Sequence, residues 1–137
     1  MNTLAFRQQE ISSHPDVRYV ILFPPYSMMW WDCGYVNGLT DLYLEEVKEI
    51  LPALLCFDNA SVYYFQSEEE IVCNLDNYMD MIHYSPKINQ YMLEAVQEDS
   101  HRVTMENWQE VYEKMEKALD DIVSTEIYRY YPQTSEG

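Results

Sequence analysis

Glycine is nearly missing from this chain. Its 137 residues include three, Gly34, Gly38 and Gly137. A phosphate-cradling loop needs glycines close together, so nucleotide binding by that route is excluded. Cysteine is scarce as well. Cys33, Cys56 and Cys73 are too widely spaced for a zinc motif, and an odd number makes a poor disulfide framework, so they read as free thiols. His14 and His101 flank turns without ligand companions; neither a metal nor a cofactor is expected. Basic residues are few, 8 Lys and Arg against 24 Asp and Glu, for a net charge of -16. That charge repels phosphate backbones, which excludes direct nucleic-acid binding, and attracts cations and basic protein surfaces. No apolar run approaches the length of a membrane span, and MNTLAFRQQEISS lacks the cationic start and apolar centre of a signal peptide. As it stands, the sequence implies a cytoplasmic protein; if Met1 is not the true start, the cell envelope becomes the expected compartment.

What is present is apolar and aromatic. Hydrophobic residues make up 47%, with 13 Tyr, 4 Phe and 3 Trp, far too many for a disordered chain. The length suits one α/β domain over residues 1–137, with a tail flexible from about residue 129. Residues 2–12 suggest a short helix with Leu4, Gln8 and Ile11 on one side. Val17–Phe23 (VRYVILF) is an almost unbroken apolar run, as in strands buried on both faces of parallel sheets, and it stops at Pro24-Pro25. PPYSMMWWDCGYVNG then reads as a long aromatic loop. In it, Met28, Met29, Trp30 and Trp31 are either a recognition surface or a flap closing the core.

A helix is expected from Thr40, with Leu42, Val47, Ile50, Leu51, Leu54 and Leu55 inward and Pro52 kinking or weakening its end. Ser61–Phe65 is a second strand, followed by a short acidic helix around Glu68, Glu69 and Glu70. Ser85-Pro86 opens a helix that turns Ile88, Tyr91, Met92, Ala95 and Val96 inward. Thr104 caps a last helix striped by Trp108, Val111, Tyr112, Met115, Leu119 and Ile122. Tyr91, Met92, Met105 and Met115 are expected in the core. The order implies a few parallel strands flanked by helices, and so narrow a sheet leaves edges to be covered or paired.

The candidate chemistry lies in NLDNYMDMIHYSP, residues 74–86. Asp80 and His83 stand three apart on a loop after a strand. A carboxylate so placed can orient an imidazole, fix its tautomer and stabilise its protonated form. The imidazole can then take a proton from a hydroxyl nucleophile. Alone the spacing is a weak signal, since a loop histidine near a carboxylate is usually just solvated.

VILFPPYSMMWW followed by a helix, and then VYYFQSEEEIVCNLDNYMDMIHYSPKINQYM, resembles the carboxyl-terminal part of SGNH-hydrolase-like proteins of bacterial envelopes. These include relatives of the D-alanyl-lipoteichoic acid biosynthesis and alginate O-acetylation proteins. The resemblance implies a partial flavodoxin-like sandwich acting on esters or acyl groups of cell-surface carbohydrate. It implies Asp80 as triad acid and His83 as general base, with Pro25, Tyr26, Ser27 and Trp30 or Trp31 lining the pocket. The family's Gly-Asp-Ser-like nucleophile segment has no counterpart here. Ser27 follows a strand, but in a proline-led loop without a nucleophile elbow, and reads as a pocket or capping residue. The chain is thus expected to be inactive alone: a truncated or split serine esterase or acyltransferase whose nucleophile comes from outside. A second chain completing the sheet, or a homo-oligomer, follows as partner. The alternative is a non-enzymatic acidic protein that imitates nucleic acid and docks on a basic partner. Lys48, Lys114 and Lys117 interrupt its acidic runs (Glu68, Glu69, Glu70; Glu106, Glu110, Glu113, Glu116, Asp120, Asp121), which otherwise read as solvated faces.

Overall fold

Two uncharged, β-prone runs form the heart of the sheet: β1, Tyr19–Phe23, and β2, Ala60–Tyr64. The computed structural model, which describes residues 3–126, pairs them in parallel from Tyr19 opposite Ala60 to Phe23 opposite Tyr64. The tail expected to be flexible lies outside the described residues. Parallel neighbours need a crossover, and helices α2 (Met28–Val36) and α3 (Thr40–Leu55) provide it. Helix α1 (Thr3–Ser13) precedes β1. After β2 come α4 (Glu69–Val72), a 3-10 turn at Leu75–Asn77 and α5 (Pro86–Gln97). A short strand β3 (Arg102–Val103) and α6 (Trp108–Asp121) follow, and α6 ends in a π-turn. The fold is mixed α/β: a small three-stranded sheet, order β1-β2-β3, flanked by helices.

The period-2 alternation of the strands sorts side chains between two layers. Tyr19, Ile21, Phe23, Val62, Tyr64 and Val103 join the larger core with Met28, Trp31, Leu51, Leu54, Met115 and Leu119. Leu22, Tyr63 and Phe65 face the other way, onto Ile88, Met92 and Ala95 of α5. Each fully buried Val, Leu or Phe contributes about 1.5–3 kcal/mol, so the larger cluster dominates stability. The turn between α1 and β1 is held by the Asn59 side chain, whose amide donates to the carbonyls of Ile11, His14 and Val17.

Several expectations need correction. β3 is antiparallel to β2, so the sheet is mixed rather than parallel; two residues are too few to leave a pattern in sequence. β1 is not buried on both faces, since Val20 is 55% exposed. The aromatic segment after Pro25 is not a long loop. From Met28 it is helical, and its apolar residues all round the helix conceal the 3.6-residue stripe. Met28 and Trp31 are buried and close the core, while Met29 and Trp30 are half-buried. Pro52 lies in the last turn of α3, which ends three residues later at Leu55, with Leu51 and Leu54 buried. The last helix starts at Trp108, because a turn intervenes: the Asn107 side chain accepts from the Thr104 N–H at 2.7 Å. Leu42 and Met105 are exposed rather than core. Among the described residues no helix is long and apolar enough to cross a membrane.

Candidate acid–base site

The segment after the 3-10 turn is a tight ribbon. Tyr78 and Tyr84 form an antiparallel bridge, the Met79 N–H donates to the His83 carbonyl, and the Ser85 N–H donates to Asn77. Asp80 to Ile82 form its tip. An aspartate there folds the chain back on its own carboxylate: Asp80 Oδ1 accepts from the N–H groups of Ile82 at 2.9 Å and His83 at 2.8 Å. Its Oδ2 lies 2.5 Å from His83 Nδ1.

These bonds hold the Asp80 carboxyl down at about 2. The His83 N–H contributes most, then the His83 ring, then the Ile82 N–H. At neutral pH Asp80 is therefore an acceptor only, and Nδ1 of His83 must carry the hydrogen. In the neutral ring Nε2 is then the free lone pair, the tautomer a general base requires. The imidazole is 70% exposed, so the pair is not sealed in the fold.

Three tertiary hydrogen bonds fasten the ribbon to the carboxyl end of β1. The Ser27 hydroxyl donates to the Met81 carbonyl at 2.7 Å, beside a second bond from the Ser27 N–H at 3.1 Å. The Tyr78 hydroxyl donates to the Pro25 carbonyl at 3.0 Å. His83 thereby borders an open groove of about 380 Å³ with Pro24, Tyr26, Ile82, Tyr84 and Asn89.

Of the sequence candidates, the structure brings Tyr26 and His83 to one groove, with Asp80 behind the imidazole. Pro25 and Ser27 are buried beneath, as anchors. Ser27 stands at the N-cap of α2, four residues beyond the end of β1. Its fully buried hydroxyl points into the protein, at Met81. Trp30 and Trp31 line a different groove, of about 410 Å³, which shares only Pro24 and Tyr26 with the first. No serine, threonine or cysteine borders the His83 groove among the described residues.

Sequence reasoning missed Tyr78, Met81 and Asn89. The tyrosines flanking Met79–His83 were the available trace of a ribbon. Glu68, read as part of a solvated run, is instead a partly buried anchor that pairs with Lys114 at 3.2 Å and faces His101 Nε2 at 3.3 Å. Among the described residues no cluster of His, Cys, Asp and Glu could hold a metal ion. Comparison with protein-family models, curated proteins and solved structures yields no match.

Proposed function

We propose that Asp80 and His83 are the acid and base of an SGNH-like acyl-transfer site whose nucleophilic hydroxyl comes from outside the described chain. The observation that carries this reading is the Asp80–His83 Nδ1 contact at 2.5 Å, on an exposed ring at the carboxyl end of a parallel strand. In open α/β sheets that end is where ligands bind. His83 Nε2 would take the proton from an incoming hydroxyl as it attacks an acyl carbonyl, and return it to the leaving alcohol. Asp80, ionised throughout, would steady the imidazolium. Tyr26 and the Asn89 amide would position the ester in the groove. The substrate class is an O-acyl carbohydrate of the cell surface, on the strength of the resemblance in sequence.

The test is an acyl-ester assay on the chain alone and on the chain expressed together with the coding region upstream of Met1. Turnover is expected only in the second case, and His83→Ala should lower it about 10²–10⁴-fold. Turnover indifferent to His83, none in either case, or fluorophosphonate labelling of Ser27 would refute the assignment.

A second reading, an acidic protein that docks on a basic partner, is favoured by the charge of -16. It also has a place in the fold: a groove of about 450 Å³ where Asp41, Glu116 and Asp120 stand around Leu44, Leu119 and Val123. Binding of a short basic peptide should weaken steeply with salt and on Asp41→Asn with Asp120→Asn; salt-insensitive binding counts against it.

A further inference from the structure

The two edges of the sheet are treated differently. β3 is two residues long and carries Arg102, a short and charged edge of the kind that resists further pairing. β1 is five residues long, YVILF, without a charge or a proline. Its hydrogen bonds have a fixed phase. The Tyr19 N–H donates to Asn59, and the Phe23 carbonyl accepts from Phe65, so Tyr19, Ile21 and Phe23 turn their backbone groups towards β2. Val20 and Leu22 therefore point their N–H and C=O groups the other way, and these have no partner among the described residues.

A groove accompanies this open edge. The consecutive residues Ile21, Leu22, Phe23 and Pro24 border the 410 Å³ cavity, which Tyr26, Trp30 and Tyr43 and further residues of α1 and α3 also line. Leu22 borders it although its side chain packs on the opposite face, so its main chain lines the groove. The aromatic wall is prebuilt: Trp30 stacks on Tyr43 at 4.8 Å and meets Tyr26 at 5.0 Å.

We propose that the free edge of β1 is a strand-addition site for an extended apolar segment of a different polypeptide. The segment's backbone pairs with Val20 and Leu22, and its inward side chains enter the groove walled by Tyr26, Trp30 and Tyr43. The spacing of the free groups dictates an extended occupant, because only an extended backbone offers donors and acceptors at every second residue. Charge selects against a second copy of this chain, since two bodies of -16 repel each other. The segment belongs to a neutral or basic polypeptide. The inference rests on the edge alone and holds whether or not His83 is a catalytic base.

The experiment is amide hydrogen exchange at Val20 and Leu22 in the full chain, with and without a short synthetic peptide of alternating Thr and Val with Lys at both ends. Both amides should exchange rapidly in the dilute chain and slow by at least about tenfold with the peptide at millimolar concentration. His83→Ala should respond identically, which separates this result from the catalytic reading. The same peptide N-methylated at alternate residues, on the edge that faces β1, should leave exchange fast. Four outcomes overturn the proposal: protection already present in the dilute chain, protection that rises with protein concentration without peptide, no slowing with the peptide, and equal slowing by both peptides.

Discussion

The Ser27 hydroxyl and the Met81 carbonyl meet at 2.7 Å across 54 positions of sequence. That bond joins the strand-to-helix junction after β1 to the ribbon carrying Asp80 and His83, so the site depends on a contact between two otherwise separate loops. Replacing Ser27 by Ala removes one buried hydrogen bond, but the Ser27 N–H still donates to the same carbonyl. The loss should sit near the typical net value, about 1 kcal/mol. Urea denaturation should show it as a lower midpoint with an unchanged slope.

Tyr78 makes the parallel tie, from its hydroxyl to the Pro25 carbonyl. Tyr78→Phe should also cost about 1 kcal/mol. The two ties fasten the same ribbon, so the double variant should depart from additivity by about 0.5 kcal/mol or more. A double-mutant cycle measures the departure; strict additivity would mean that the two ties act independently.

The Asp80 carboxyl titrates at about 2 rather than its usual 3.8. A depressed carboxyl stabilises the fold above its unfolded value, and that contribution disappears as pH falls from about 4 towards 2. Carbon-detected NMR of the carboxylate should place the midpoint directly. In His83→Ala the midpoint should rise but remain below 3.8, because the main-chain N–H groups of Ile82 and residue 83 persist.

Gly34 lies inside α2 with no room for a side chain: an added Cβ would lie 2.5 Å from Cε2 of Tyr43. Alanine there gains up to about 1 kcal/mol of helix propensity. Overpacking costs about 1–3 kcal/mol, and Tyr43 is pinned by its stack on Trp30. The clash should win, so Gly34→Ala should lower the melting temperature and change the near-ultraviolet circular dichroism of the aromatic cluster.

Strong local patterns made much of this fold legible. VRYVILF and SVYYF read as strands, Ser85-Pro86 as a helix start, and the stripe of α6 as buried, because each signal lies within a few residues of chain. MMWWDCGYV did not read as a helix because nearly every position in it is apolar. β3 was invisible because its two residues pair only after α5 has carried the chain back across the sheet. The apolarity of β1 suggested burial on both sides, yet the described residues cover only part of it and leave Val20 and its edge open.

Within the site the division follows the range of each contact. The sequence by itself put Asp80 and His83 within reach of each other, since a carboxylate three positions before a histidine can bond its main chain and ring within a single turn. Tertiary structure alone decided that Ser27 is a buried anchor and that Trp30 and Trp31 belong to a different groove from His83. It also brought Tyr26 and Asn89 to the groove that His83 borders. Those outcomes hang on which way two loops face at the end of a parallel strand pair, and that is set by packing between distant segments rather than by neighbours in the chain.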